Sequence, residues 1–161
     1  MAEGNRIDPW ATPASMARSL APFYPTWKAT TAERLFSHFG IPPDRRIGRL
    51  SNGQRGQVAL TLMLSQDPDV LVLDDPMLGV DAVVRHEFFA TLANVLGRRE
   101  RAVLFTSHIL ADVERVADRV VILSEGRVLA SGTPAFLQGS VRRYHVRLRP
   151  GAAMPDALSG V

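Results

Sequence analysis

Two adjacent carboxylates, Asp74 and Asp75, stand directly after the wholly apolar run Val70–Leu73. A carboxylate at the end of such a run can hold Mg²⁺, directly or through water, because Mg²⁺ takes oxygen ligands and keeps several waters. A second carboxylate beside it can orient or deprotonate an attacking water. Phe105-Thr106-Ser107-His108 closes another apolar run, and a histidine there can contact a phosphate oxygen or the same water. Leu50-Ser51-Asn52-Gly53-Gln54 opens a long stretch of helical pattern. Ser51 has N-cap chemistry, Gly53 lets a ligand approach the backbone closely, and the N–H groups and dipole of a helix start attract anions. Gly79-Val80-Asp81 precedes a further helical stretch. Each group also has a plain structural reading: Asp74 and Asp75 capping a strand, Ser51 and His108 at helix starts, Asp81 as an N-cap. His38, His86 and His145 have no comparable company and read as structural.

The elements that must position these residues follow from the pattern. Residues 1–28 hold Pro9, Pro13, Pro22 and Pro25, so only short elements fit there, including a helix at about 13–21. Residues 30–39 predict a helix with Thr30 or Thr31 as N-cap, Leu35, Phe36 and Phe39 as its apolar face, and Gly40 closing it. From Ser51 a helix runs to about Gln66, where Asp67-Pro68 breaks it. Val70–Leu73, without polar alternation, predicts a parallel strand buried on both faces. A helix follows from Ala82 to Leu96, with Val83, Phe88, Phe89, Leu92, Val95 and Leu96 available for packing. Ala102–Phe105 is a second strand, Ile109–Ala117 a helix and Arg119–Leu123 a third strand. Glu125-Gly126 then turns the chain into Arg127–Ala130 as a hairpin, and Thr133-Pro134 starts a last short helix. Strand and helix in alternation predict an α/β fold with a mostly parallel sheet, whose ligands sit beyond the carboxyl ends of the strands.

Composition sets the outer bounds. The 161 residues are 46% hydrophobic and 22% charged, enough for one domain with a core and incompatible with global disorder. No apolar stretch approaches the roughly 18–20 residues needed to cross a bilayer, and MAEGNRIDPW predicts no secretory signal. The chain has no cysteine, which excludes disulfides, thiolate-ligated zinc and a thiol nucleophile. The net charge of +3 comes from arginine, since Lys28 is the only lysine. The arginine clusters lack aromatic interleaving and read as a solvated face, so no nucleic acid partner is expected.

Taken in order, LSNGQ, a helix, VLVLDDP, GVD, a helix and LFTSH resemble the second half of the ATP-binding subunits of ABC transporters. LSNGQ resembles the family signature, usually LSGGQ; Leu71–Asp75 resembles the Walker B strand, Gly79–Asp81 the D-loop and His108 the switch histidine. VADRVVILSEGRVLASGTP is similar to the family's closing hairpin, and the resemblance runs from about Trp10 to Gly139. FYPTW and GIPPDRRIGRLS look most like bacterial export-type subunits. The resemblance implies an α/β fold: a partial P-loop NTPase-like parallel sheet with helices on both faces, a helical signature subdomain and a C-terminal β-hairpin. It implies a truncated nucleotide-binding domain over 1–141, with a helical signature region at about 10–66 and the Walker B to hairpin region at 67–141. Residues 142–161 then form a short C-terminal extension.

In the family, two such domains sandwich ATP head to tail. Carried over, Asp74 would serve Mg²⁺, Asp75 would take the general-base position and His108 would sense the γ-phosphate. Ser51, Asn52, Gly53 and Gln54 would contact that phosphate across the dimer, and Asp81 would couple the two sites. The implied partners are a transmembrane permease and a second ATP-binding subunit, and the implied location is cytoplasmic, peripheral at the inner face of the cell membrane.

Three departures bear on activity. No G-x-x-x-x-G-K-[ST] loop occurs in the sequence, and Lys28 lies in PTWKATT, without glycines. ATP and Mg²⁺ are therefore expected only where such a loop is supplied. Asp75 stands where the family usually has glutamate, retracting the carboxylate by about 1.5 Å, one C–C bond. Misplacement of about 1 Å can cost on the order of a hundredfold in rate. Asn52 replaces a signature glycine, with a mild effect expected because asparagine tolerates left-handed backbone. The leading expectation is an ATP-binding subunit coupling ATP binding and hydrolysis to transport, incomplete and inactive as an isolated chain. The alternative is a non-catalytic or regulatory partner offering its signature in trans. A sheet without its first strands is also expected to expose an apolar edge and face.

Overall fold

The boundaries of the helices are set by a few short side chains. In the computed structural model, which describes residues 7–97 and 101–140, α1 (Pro13–Leu20) starts on a capping box. The Ser15 N–H donates to Thr12 Oγ1 (3.1 Å) and the Thr12 N–H to Ser15 Oγ (2.9 Å). A 3₁₀ turn, Ala21–Phe23, leads on to α2 (Ala29–His38). Thr30 and Thr31, the predicted N-caps of α2, lie inside it, and Lys28 holds the cap position without a side-chain bond. The helix starts at least two residues earlier than its threonines suggest, because the Lys28 N–H donates to the Ser65 carbonyl at 2.7 Å. The stop at Gly40 is as expected: its φ is +59°, with Gly40 N–H on Ser37 O and Ile41 N–H on Phe36 O. This pair of bonds, with glycine in the left-handed region, satisfies the last carbonyls of the helix.

A second capping box starts α3 (Asn52–Ser65): Gln54 N–H donates to Ser51 Oγ (3.2 Å) and Ser51 N–H to Gln54 Oε1 (3.0 Å). After β1 (Val70–Leu73), Asp81 caps α4 (Ala82–Leu96), its Oδ1 accepting from the Val83 and Val84 N–H groups. β2 (Ala102–Phe105) pairs with β1 in parallel, Val70 opposite Ala102 and Leu73 opposite Phe105, and α5 (Leu110–Val116) follows. The α/β class and the parallel pairing match the sequence reading.

The chain divides into two units, Met1–Val116 and Ala117–Val161. In the first, the core joins Leu35, Phe36 and Phe39 of α2 and Val58, Leu60 and Leu64 of α3 to Phe88, Phe89 and Leu92 of α4. Leu71 and Leu73 of β1 complete it. Within the second, β3 (Val120–Ser124) and β4 (Arg127–Gly132) form an antiparallel hairpin that turns at Glu125-Gly126, and α6 (Pro134–Ser140) follows.

Three sequence expectations need correction. Val70–Leu73 is not buried on both faces but alternates, with Leu71 and Leu73 inside and Val70 and Val72 each 62% exposed. Leu104 of β2 is exposed on the same pattern, so among the described residues helices pack on one face of this sheet. The third strand joins the hairpin, and the parallel sheet among the described residues has two strands. Val83, expected to pack, is 78% exposed because it lies on the outer side of the first turn of α4. Val95 and Leu96 as packing residues, the residues 142–161 extension and His145 fall outside the described side chains.

Candidate functional site

Parallel pairing brings the carboxyl ends of β1 and β2 side by side, and the Thr106 N–H extends the ladder by donating to Leu73 O at 2.9 Å. The residues that follow each strand therefore meet. His108 Nδ1 lies 2.8 Å from Asp75 Oδ2, and Thr106 Oγ1 donates to Asp74 Oδ1 at 2.6 Å. The same Thr106 oxygen accepts the Asp75 backbone N–H at 2.9 Å. Asp75 sits at φ +36°, in the left-handed region, which costs a side-chain-bearing residue roughly 1–2 kcal/mol. That turn of the backbone aims the two neighbouring acids in different directions. Asp74 goes to the threonine and Asp75 to the histidine.

Thr106 is the member that sequence reasoning passed over. It lies in the run Phe105-Thr106-Ser107-His108, but a threonine ending a strand has no signature until its neighbours across the ladder are known.

The second set of predicted residues gathers at the start of α3. Ser51 and Asn52 are exposed, Gln54 is half-buried and Gly53 is buried. Gly53 has a packing reason for being glycine beside the one its motif suggests. A Cβ there would stand 2.8 Å from Val84 Cγ1 and 3.1 Å from Val80 Cγ1, so the missing side chain makes room for α4 and the loop before it. Ser51 Oγ uses a lone pair on Gln54 N–H, which leaves its hydroxyl hydrogen as a donor toward solvent or a ligand. Asp81, predicted to couple sites, caps α4 through Oδ1, so its plain structural reading is realised in this structure.

Arg85 ties this loop to the histidine side of the site. Its Nη1 donates to Val80 O (3.2 Å), while its Nε contacts Asp112 Oδ2 (2.9 Å) and Oδ1 (3.1 Å) in the first turn of α5. Lys28 goes elsewhere. Its Nζ is 4.0 Å from Asp67, before the amino end of β1, whereas Asp74 follows the carboxyl end. A four-residue strand spans roughly 13 Å, so Lys28 cannot serve phosphates beside Asp74.

The donor set fits a magnesium ion held partly by a nucleotide better than an ion caged by protein. Asp74 supplies one carboxylate, and among the described residues no three His, Asp or Glu side chains gather as a metal cluster. Mg²⁺ is commonly held by one or two carboxylates together with substrate phosphates and water.

Known proteins share both sequence and fold with this chain. Residues 2–78 match the family model described as ABC transporter, a stretch that carries Ser51–Gln54, Asp74 and Asp75 and stops short of Asp81 and His108. Over 94 residues, 58% of this chain, it is 40% identical to the Nod factor export ATP-binding protein I of Burkholderia orbicola. Over 102 residues it is 33% identical to the ABC transporter ATP-binding protein YtrB of Bacillus subtilis. The aligned stretch spans 31% and 35% of those relatives' lengths. A solved ATP-binding subunit of an ABC transporter superposes with a TM-score of 0.67 at 26% identity, over 83% of this chain and 57% of that one. CbiO1 of Clostridium perfringens, described as part of the ABC transporter complex cbiONQ, shares the fold with a TM-score of 0.66 at 23% identity. It is matched over 81% of this chain and 54% of its own.

Proposed function

We propose that this chain, which belongs to the ABC transporter family of ATP-binding subunits, contributes the Walker B, switch and signature parts of an ATP site that drives membrane transport. The observation that carries this reading is the 2.8 Å contact of His108 Nδ1 with Asp75 Oδ2, made between the ends of two adjacent parallel strands. The ATP–Mg²⁺ complex, when bound, would supply the γ-phosphate as electrophile and the cation that neutralises it. Asp74 would hold the cation. Asp75 would accept a proton from the attacking water through its carboxylate, and His108 would hold that carboxylate in place. Ser51, Asn52 and Gln54 would face the phosphates of a partner subunit, with Gly53 keeping their helix against α4 and Asp81 setting the start of that helix.

The partners in this reading are a second ATP-binding subunit and a transmembrane permease, with the chain peripheral at the cytoplasmic face of the membrane. No helix among the described residues is long and apolar enough to cross a membrane. Lys28, paired with Asp67, cannot stand in for a phosphate-loop lysine. The purified chain should therefore show no magnesium-dependent ATP hydrolysis above background. Turnover that requires Mg²⁺ and disappears in Asp75→Asn would overturn the inactive state.

A second reading is favoured by the self-capped turn whose Ser51 and Asn52 are exposed: a non-catalytic partner that offers its signature in trans. Mixing the chain with an intact ATP-binding subunit should then change that subunit's ATPase rate. Ser51→Arg should abolish the change, and an unaltered rate on mixing would refute this reading.

A further inference from the structure

We infer that Thr106 is a positioning residue that assigns the two acids their separate duties and fixes the tautomer of His108. This rests on the reading of Asp75 and His108 as the reactive pair, and extends it to a residue that would touch neither substrate nor cation.

A hydroxyl has one hydrogen and two lone pairs. Thr106 gives its hydrogen to Asp74 Oδ1 at 2.6 Å and takes the Asp75 N–H at 2.9 Å, so one oxygen atom grips both residues of the acidic pair by different handles. The first contact commits an Asp74 oxygen. The second holds the Asp75 backbone in its left-handed turn at φ +36°, a conformation that directs its carboxylate to His108. Register makes the arrangement possible: Leu73 lies opposite Phe105, so the residue after each strand stands beside the other. Ser107, between Thr106 and His108, accepts the Ile109 N–H at 3.1 Å and thereby shapes the turn that carries the imidazole back to Asp75.

The consequence for the ring is chemical. An ionised carboxylate only accepts hydrogen bonds, so the contact with Asp75 requires the proton on Nδ1. The neutral ring then presents Nε2 as a lone pair. Without Thr106 the Asp75 backbone loses its anchor, the carboxylate leaves Nδ1, and the ring returns to the Nε2–H form that free imidazole side chains favour.

Side-chain ¹⁵N spectroscopy of His108, on the full chain without nucleotide and at a pH where the ring is neutral, tests this. The wild-type protein should show a majority Nδ1–H tautomer. Thr106→Val, which keeps the branched shape and removes the hydroxyl, should invert that to a majority Nε2–H, and Thr106→Ser should restore the wild-type ratio. A Thr106→Val spectrum like wild type, or a serine variant that behaves like valine, overturns the inference. Should the valine variant not fold, the wild-type protein still decides, since the Asp75 amide must be protected from solvent exchange by its bond to Oγ1. An unprotected Asp75 amide sinks the proposal. Because none of these measurements involves ATP, an absent nucleotide role for the chain would leave their outcome untouched, and the two ideas can fail separately.

Discussion

Removing Arg85 should cost the first unit about 2–3 kcal/mol of stability, and the figure can be built from its contacts. Arg85 Nε lies 2.9 and 3.1 Å from the two oxygens of Asp112, and the side chains are 19% and 10% exposed. Near 3 Å, with an effective dielectric of about 20, the raw attraction is about 5–6 kcal/mol, most of it offset by stripping water from both ions. Arg85→Leu leaves the Asp112 carboxylate buried without its cation, a change that costs about 3–5 kcal/mol where burial is complete. Residual exposure of both groups lowers that. Loss of the Nη1 bond to Val80 O adds about 1 kcal/mol. With a urea m-value on the order of 1–2 kcal/mol/M, the midpoint should fall by about 1–3 M. The double variant Arg85→Leu, Asp112→Leu should recover part of the loss, giving a coupling of about 1–2 kcal/mol from a double-mutant cycle. Equal midpoints for Arg85→Leu and wild type, or additive single and double effects, would refute the reasoning.

Other substitutions report on other parts of the fold. Ser51→Ala breaks the capping box of α3 and should destabilise by about 1 kcal/mol in the same denaturation assay; Asp in its place should retain most of the stability. Phe88→Ala, at a fully buried position, should cost about 3–5 kcal/mol through lost burial and the cavity left behind. The pair Val70→Thr and Leu104→Thr, both on the exposed side of the sheet, should change stability by no more than about 0.5 kcal/mol each. Light scattering should show less self-association for that pair than for the wild-type protein.

Much of this architecture was legible because it is encoded locally. β1, α4 and β2 coincide with their expected ranges, since an apolar run closed by acids and an amphipathic stretch after an aspartate cap each carry their own boundaries. Gly40 and Ser51 were readable for the same reason. Relations between distant segments were not readable. Val70 and Val72 look identical in sequence to buried strand residues, and only the packing of the sheet exposes them. The glycine of the signature turn reads as room for a ligand, yet the valines that need its space, Val80 and Val84, come from another helix and its loop. Asp75 with His108 was legible as two strand ends. The threonine that separates the two acids depends on strand register, which no single segment states.

The division of labour between helices and strands sets an order of opening. Among the described residues β1 and β2 pair as strands only with each other, and a lone pair of strands has little independent stability in water. The helical residues Val58, Leu60, Leu64, Phe88 and Leu92 lie where water does not reach. Amides of α3 should accordingly be the last to exchange with deuterium, while those of β2 yield earlier. The acid pair and its histidine follow directly on those strands, so the candidate site rests on the layer expected to open sooner, and anything that clamps the strand ends should stiffen it first.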